Sequence, residues 1–300
     1  MKRLQVWIVS DEKPGHHNQS MGLIQALSSM RELELSQMPI VSKSKTFQML
    51  SFKYCSKKQK ENPDLIIGAG HKTHFSLLAY RQCFGGKAIV MMRPSLPFRL
   101  FDLCFIPRHD KPSNSAHMIE TIGAVNLVIP SKSHLSKNGL ILLGGPSKHF
   151  NWNVAEVALQ LEKLILRNAE MQWTIASSRR TPADSVDIIS SYFPKIEFIE
   201  PDKVSNNWLP TKMQESGNIW VTEDSVSMIY EALTSGATTG VIRLNTDKTT
   251  RVTEEVNRLV FEGRVETLLG DNLKNENKES ASSLYEADRC AKLLLEKFDL

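Results

Sequence analysis

The stretch Asn218–Gly236, NIWVTEDSVSMIYEALTSG, indicates the fold class of the chain. Ile219–Thr222 predicts a short buried strand, and a polar turn follows it. The next apolar residues recur at helical spacing, and Gly236 is a residue type that ends helices. These apolar helix positions are Val226, Ile229 and Leu233. A strand, a turn and a helix in this order form the repeating unit of a parallel α/β sheet.

The polar turn of this unit is typical of a ligand site, because open α/β sheets bind ligands where a helix begins at the carboxyl end of a strand. Glu223, Asp224 and Ser225 occupy the turn, and the oxygen of Asp224 or Ser225 can cap the helix. An ordinary strand–helix unit with a good cap would look the same.

Two earlier units carry groups that suit a phosphate. Leu140–Leu143 predicts a strand that runs into Gly144-Gly145-Pro146-Ser147, whose N–H groups and hydroxyl can hold a phosphate. Gln172–Ala176 predicts the next strand, and Ser178-Arg179-Arg180-Thr181-Pro182 follows it. A guanidinium group can bind two phosphate oxygens at once. The ordinary alternatives are a plain turn for the glycine loop and surface ion pairs for the arginines. We expect these two loops and the turn at Ser225 to converge on one diphosphate.

The first half of the chain offers candidates for a general base. Leu4–Val9 predicts a strand, and the polar loop after it carries Asp11, His16 and His17. Carboxylate and imidazole groups can take a hydroxyl proton near neutral pH, although histidines in loops are often merely solvated. Asp110, which follows a predicted strand ending at Pro107, is a further candidate.

Gly68-Ala69-Gly70 follows another predicted strand in the first half. It lacks the third glycine of the dinucleotide fingerprint and lies in a later unit than that fingerprint requires, which argues against a nicotinamide enzyme. Asn126–Ile129 reads as a short strand. The polar segment Pro130–Asn138 then predicts a linker. We therefore expect α/β domains at residues 1–133 and 138–270, and an amphipathic helix at 281–300 that packs back across the junction.

Composition excludes several classes of protein. The chain has 300 residues, 41% hydrophobic and 23% charged, as is usual for a globular protein. The net charge of +4 is too small to imply nucleic acid. Four scattered cysteines without a CxxC favour reduced thiols over a zinc site, and the apolar start is too short for a signal peptide. These features predict a cytoplasmic protein.

One window is strongly basic. It runs from Lys43 to Lys60 and contains six lysines, no acidic residue and several apolar side chains, including Phe47 and Leu50. Such a segment can lie on an anionic membrane, which would make the protein peripheral on the inner membrane. A solvated helix with its apolar side chains in the core is the plainer alternative.

Several motifs together resemble the family named after the plant mitochondrial fission protein ELM1, whose bacterial members are glycosyltransferase-like. The motifs are Ser10-Asp11-x-Lys13-Pro14-Gly15-His16-x-Asn18-Gln19-Ser20, Ile67-Gly68-Ala69-Gly70, Pro107-x-His109-Asp110, Gly144-Gly145-Pro146-Ser147, Ser178-Arg179-Arg180-Thr181-Pro182 and Val221-Thr222-Glu223-Asp224-Ser225-Val226-Ser227-Met228. The resemblance implies a GT-B fold, in which two Rossmann-like domains with parallel sheets face each other across a cleft. It also implies a nucleotide-sugar in the C-terminal domain, with Glu231 at the ribose and Glu223, Asp224 and Ser225 near the sugar or diphosphate.

The expected function is transfer of a sugar from a nucleotide-activated donor to an envelope glycolipid or lipopolysaccharide-core acceptor, without a metal or a resident cofactor. A non-catalytic GT-B scaffold that binds a protein or membrane surface and a nucleotide-sugar epimerase are the alternatives. The candidate catalytic residues are Asp11, His16 and Asp110. The candidate donor-binding residues are Gly144, Gly145, Ser147, Arg179, Arg180, Thr181, Glu223, Asp224, Ser225 and Glu231.

Overall fold

The computed structural model describes residues 3–51, 62–205, 207–268 and 284–300. The chain divides into two compact units, of which unit 1 comprises Met1–Leu127 and Tyr285–Leu300 and unit 2 comprises Val128–Leu284. Within the described residues each unit contains a parallel sheet of six strands with helices between them. The predicted α/β class is therefore confirmed.

The sheet of unit 1 has the strand order β2-β1-β3-β4-β5-β6. Its elements are β1 (Leu4–Val9), α1 (Pro14–Met30), β2 (Leu33–Met38), α2 (Lys43–Leu50), β3 (Leu65–Gly68), α3 (His74–Phe84), β4 (Lys87–Val90), β5 (Leu103–Pro107) and β6 (Met118–Thr121). β1 and β3 are buried along their whole length, because helices cover both faces of a parallel sheet.

The sheet of unit 2 has the strand order β12-β11-β10-β7-β8-β9. Its elements are β7 (Leu135–Leu143), α4 (Val154–Arg167), β8 (Gln172–Ser177), α5 (Ala183–Tyr192), β9 (Glu197–Ile199), α6 (Trp208–Glu215), β10 (Ser216–Thr222), α7 (Val226–Ser235), β11 (Thr238–Ile242), α8 (Arg251–Phe261) and β12 (Glu266–Thr267). The order places the carboxyl ends of β11, β10, β7 and β8 side by side.

The last helix, α9 (Glu286–Phe298), belongs to unit 1. It buries Ala287, Cys290, Ala291 and Leu294 in the core that α1 also covers. Glu286 fastens its first turn, because one carboxylate oxygen accepts the N–H of Ile122 at 3.1 Å and the other accepts Arg289 Nε at 2.8 Å. The helix begins at Glu286 rather than at the expected Ala281, and residues 281–283 lie outside the described residues.

Several strands differ from the sequence-based expectation. Asn126–Ile129 is not a strand, whereas β2, β6 and β12 were not expected. β7 begins at Leu135, inside the expected linker, and its first residues are exposed and so carry no apolar signal. Cys104 and Cys290 are buried free thiols. In the described part of the chain no helix is both long and apolar enough to cross a membrane.

Candidate functional site

The loops after β7, β8 and β10 meet at the carboxyl edge of the sheet of unit 2. Asp224, in the loop after β10, joins them through a carboxylate with no exposed surface. It accepts the Gly145 N–H at 3.1 Å and the Thr222 hydroxyl at 2.7 Å, and Arg180 Nη1 lies 2.8 Å from it. The expected convergence of these three loops is thus present, and a buried carboxylate holds them together.

The two glycines of the loop after β7 allow this close packing. A Cβ atom at Gly144 would lie 2.2 Å from Asp224 Oδ2, and one at Gly145 would lie 2.1 Å from the backbone oxygen of Arg180. The Gly144 N–H donates to Thr222 Oγ1 at 2.7 Å, and the Gly145 N–H donates to Asp224. Because both N–H groups have protein acceptors, neither is free to hold a phosphate in this conformation, contrary to the expectation.

Thr181 also serves the loop architecture, since its hydroxyl donates to the backbone oxygen of Gly144 at 2.5 Å. The Ser178 hydroxyl donates to the same oxygen at 3.1 Å. Thr181 and Ser178 are therefore occupied within the loops, and the two arginines of the loop after β8 face the solvent. Arg179 is exposed, and 43% of the Arg180 side chain is exposed although one of its nitrogens pairs with Asp224. The outer surface of the loop after β8 is therefore cationic.

Ser147 has a hydroxyl that still has a proton to donate. Its oxygen accepts the N–H groups of His149 and Phe150, each at 3.2 Å, which shapes the turn after the two glycines. A hydroxyl that accepts two bonds can donate a third. Ser147 can therefore hydrogen-bond to an anion beside this loop.

The N-terminus of α7 has no side-chain cap. Ser225 occupies the N-cap position without making a capping hydrogen bond, and Asp224 is committed to its partners in the neighbouring loops, so the expected cap is absent. The first backbone N–H groups of a helix have no acceptor within the helix, and the helix dipole adds a partial positive charge there. Such an end binds anions.

Glu223 is buried and fully engaged. Leu244 N–H donates to one carboxylate oxygen at 2.5 Å, and Arg243 Nη1 lies 3.0 Å from the other. Burial raises the pKa of Glu223, an effect that the Leu244 N–H and the Arg243 charge only partly offset and that the charge of Asp224 increases. Its carboxylate joins β10 to the end of β11, so both acidic side chains of the turn bind the protein itself.

Glu231 lies on α7 and is half-buried. Burial raises its pKa from 4.5 to about 7, and within the described part of the chain its carboxylate has no hydrogen-bond partner. Six residues separate it from Ser225, which places it about 9 Å along the helix from the uncapped end. It differs from Glu223 and Asp224 because its carboxylate is free to bind a ligand.

Unit 1 contains a second titratable group, at the ends of β1 and β3. Asp11, whose side chain has no exposed surface, binds His16 Nδ1 through both oxygens, at 2.9 and 3.0 Å. Burial would raise the pKa of Asp11, but the hydrogen bond and charge of His16, together with the Lys13 N–H and charge, lower it. Gly70, at φ 86°, makes room, since a Cβ there would lie 2.3 Å from His16 Nδ1. The opposite nitrogen of His16, Nε2, is the one left to act on a ligand.

Asp110 lies in a different place. It ends a short 3-10 helix after β5, and its backbone oxygen accepts Arg93 Nη1 at 2.5 Å. β5 is three positions from β1 in the sheet, a lateral distance of about 14 Å. The sheet therefore separates Asp110 from the Asp11–His16 pair. His17 is exposed on α1.

Sequence reasoning missed three residues of these loops. The Thr222 hydroxyl donates to Asp224, and Arg243 forms an ion pair with Glu223. His74, buried at the start of α3, binds Ser95 Oγ at 3.1 Å, and burial lowers its pKa to about 4. No local pattern marks Arg243 and His74, because their partners lie after other strands, and Thr222 also accepts the Gly144 N–H from the loop after β7. Among the described residues no group of acidic, histidine and cysteine side chains could hold a metal ion.

Comparison with known proteins shows the family. The family model described as mitochondrial fission ELM1 matches residues 14–298, and the chain belongs to that family. The uncharacterized protein RP120 of Rickettsia prowazekii (strain Madrid E) is 24% identical over 288 residues, covering 78% of this chain and 81% of that protein.

Solved structures show the same fold. A putative UDP-N-acetylglucosamine 2-epimerase from Listeria monocytogenes matches 99% of this chain and 97% of its own, with a TM-score of 0.62 at 14% identity. The UDP-GlcNAc 2-epimerase of Neisseria meningitidis, solved with UDP-GlcNAc, matches 98% and 99%, with a TM-score of 0.52 at 15% identity. MurG of Acinetobacter baumannii matches 98% and 92%, with a TM-score of 0.50 at 12% identity. The fold is of the GT-B type.

Proposed function

We propose that unit 2 binds a nucleoside-diphosphate sugar and that the protein transfers the sugar to an acceptor hydroxyl. The observation that carries the proposal is the uncapped N-terminus of α7 beside the Arg180–Asp224 pair. A diphosphate there would meet helix N–H groups and a guanidinium, with Arg179 and Ser147 at the adjoining loops. The two nearest carboxylates would not repel it strongly, because each is paired with an arginine.

Glu231 fits the ribose of the same ligand. An ionised carboxylate accepts hydrogen bonds from two neighbouring hydroxyls, and Glu231 lies about 9 Å along α7 from the proposed diphosphate. The similar structure from Neisseria meningitidis holds UDP-GlcNAc, and a similar Staphylococcus aureus protein holds UDP. UDP-GlcNAc belongs to the class that we propose here, and UDP is the nucleoside diphosphate that such a donor leaves.

His16 is our candidate for the general base, with Asp11 as its positioning residue. The Asp11 carboxylate fixes Nδ1, so Nε2 would take the acceptor proton. As the acceptor oxygen bonds to the anomeric carbon, the bond from that carbon to the diphosphate breaks. The nucleoside diphosphate leaves with the electron pair, and Arg180 and the helix end stabilise its charge.

Calorimetry with UDP, GDP, CMP and their sugars tests the donor site. We expect Arg180→Ala to weaken binding about 10- to 100-fold, since one charge-assisted hydrogen bond contributes about 1.5–3 kcal/mol. Arg99→Ala, which removes an exposed arginine of unit 1, is the matched control. If no donor binds, or if both variants bind like wild type, the donor site is wrong.

A transfer assay separates the base from the donor site. His16→Ala should keep donor affinity and lose about 10²- to 10⁴-fold in transfer rate, the usual contribution of a general base. Equal transfer by His16→Ala would contradict the assignment. Turnover of the donor sugar without an acceptor would favour the epimerase alternative over transfer.

The second candidate is a scaffold that binds an anionic membrane surface. Of the basic window, only the part up to Ser51 lies within the described residues. There α2 exposes Phe47, with 76% of its surface accessible, and Lys45 is exposed two positions before it. Exposed apolar and basic side chains on one helix are typical of a membrane-surface helix. An inner-membrane location would follow from this surface, whereas an envelope glycolipid or lipopolysaccharide-core acceptor belongs to the transfer proposal above.

Co-sedimentation with phosphatidylglycerol vesicles tests the surface. Phe47→Ser should reduce the bound fraction, while Phe261→Ser, which removes an equally exposed phenylalanine of α8, should not. Equal binding of both variants, or no binding of wild type at low salt, would remove this candidate.

A further inference from the structure

Cations that the proposed diphosphate site does not use lie on the loops after β7 and β11. Lys148 and His149 follow the glycine loop after β7. Lys248 lies in the loop after β11, and Arg251 is the first residue of α8. β11 and β8, whose following loop contains Arg180, are three positions apart in the sheet, about 14 Å. A phosphate beside Arg180 would therefore not reach the end of β11.

Hydrogen bonds hold the two loops together. Lys248 Nζ donates to the backbone oxygen of Lys148 at 3.0 Å, and the Thr246 hydroxyl donates to that of His149 at 2.6 Å. The Asn151 N–H donates to the backbone oxygen of Asn245 at 2.9 Å. These three bonds fix the positions of the loops, so the cations are kept close despite their mutual repulsion.

Three cations, Lys148, Arg251 and Lys248, act on the His149 imidazole. Burial lowers the pKa of this half-buried imidazole, and the charges of Lys148, Arg251 and Lys248 lower it further. Asp247 in the same loop and Glu254 on α8 are the nearby acids in sequence, and neither contributes to this shift. A half-buried group among positive charges is a favourable place for an anion.

We infer that Lys148, His149 and Lys248 form a second anion subsite, which binds a carboxylate or phosphate separate from the diphosphate. The inference rests on the proposed function, because the loop from Gly144 to Ser147 joins this subsite to the diphosphate site. The added negative group belongs either to the donor sugar, as in a uronic acid, or to a phosphorylated acceptor. The substrate class is thus an anionic sugar or an anionic acceptor.

The first experiment tests anion binding at the subsite in the absence of any nucleotide. The NMR signal of the His149 imidazole is identified by its absence in His149→Gln. It is then followed against pH with and without inorganic phosphate. A bound anion favours the protonated ring, so phosphate should raise the titration midpoint by about half a pH unit or more. Lys148→Gln should abolish this response, because it removes the ammonium and keeps the backbone oxygen that Lys248 binds. Lys163→Gln, on an exposed face of α4, should retain it.

The second experiment identifies the source of the negative group. UDP-glucose and UDP-glucuronic acid differ by one carboxylate, and an ion pair with exposed lysines would favour the latter about three- to fivefold. Loss of that preference in Lys148→Gln supports an anionic sugar. Equal affinity, together with a His149 response to phosphate in UDP-saturated protein, supports an anionic acceptor.

A His149 midpoint that phosphate does not move, or that moves equally in Lys148→Gln and wild type, overturns the subsite. Failure of UDP to bind is a separate outcome. It removes the proposed donor site, whereas the phosphate titration of the free protein still decides the subsite.

Discussion

Asp224 in unit 2 and Asp11 in unit 1 are the same residue type in the same kind of place, a loop at the carboxyl edge of a parallel sheet. Both carboxylates have no exposed surface. Asp224 binds Arg180, which is charged at any pH that proteins tolerate, whereas Asp11 binds His16, which titrates near neutral pH. The first pair builds a permanent cationic surface, and the second holds a group that can exchange a proton.

The surroundings strengthen this contrast. Asp224 also accepts a backbone N–H and a hydroxyl, so its loss would leave three groups without a partner. Asp11 accepts one further N–H, from Lys13 at 3.3 Å. A buried carboxylate is therefore structural in one unit and a positioning group for an imidazole in the other.

The largest expected effect comes from Asp224→Asn. The amide cannot balance the Arg180 charge and must direct N–H groups at other donors, so we expect the free energy of unfolding to fall by about 2–3 kcal/mol. Urea unfolding measures it. Donor affinity should fall as in Arg180→Ala, and the double variant should lose little more, because the aspartate acts through the arginine. Additive losses of affinity would show that Asp224 and Arg180 act independently.

Asp11→Asn is the matched substitution in unit 1. We expect a loss of only about 1 kcal/mol, because water can replace the carboxylate at the half-buried imidazole. Since the pKa of Asp11 is lowered, its carboxylate stabilises the fold above its ordinary pKa of 3.8, and this contribution is lost as pH falls through the folded value. The free energies of unfolding of wild type and Asp11→Asn should therefore become equal in acid. Equal losses of unfolding free energy in Asp11→Asn and Asp224→Asn would contradict the difference between the two carboxylates.

A smaller effect is expected for Glu231→Gln. Because the pKa of Glu231 is raised to about 7, the folded protein binds its proton more tightly than the unfolded chain does. Wild type should gain about 1 kcal/mol as pH falls from about 7 towards 4.5, less than full burial would give, since the side chain is partly exposed.

Thermal unfolding against pH measures this gain. Glu231→Gln should lack it, and Glu215→Gln, on an exposed part of α6, should keep it. Donor affinity should rise as pH passes about 7 in wild type alone, because ribose hydroxyls donate to the ionised carboxylate. A donor affinity that is flat with pH in wild type would remove Glu231 from the ribose site.

Much of the fold follows from local pattern. Continuous apolar runs predicted β1, β8 and β10, and Gly236 ends α7 at φ 86° as its residue type suggested. The strands that were missed lack such a pattern: β2, β6 and β12 are only partly buried at sheet edges, and the start of β7 is exposed. Burial on both faces is what makes a parallel strand visible in sequence.

The candidate site was predicted less completely. The pattern located the loops, and Glu223, Asp224 and Glu231 were all predicted to bind the donor. The structure distinguishes them, because two are bound by arginines and backbone N–H groups and the third is not. Which nitrogen reaches which oxygen depends on neighbouring strands, and their order is not encoded in the spacing within one strand–helix unit.

The sequence by itself determined the alternation of strands and helices and the placement of polar loops at the carboxyl ends of the strands, since residue type and periodicity act over a few neighbouring positions. Only the tertiary structure decided which carboxylates are bound by other groups of the protein. Asp224 meets Arg180 because β10, β7 and β8 are neighbours in one sheet, and Asp11 meets His16 because the loop turns back within five residues. Burial then makes those partnerships strong, since an unpaired charge away from water is costly.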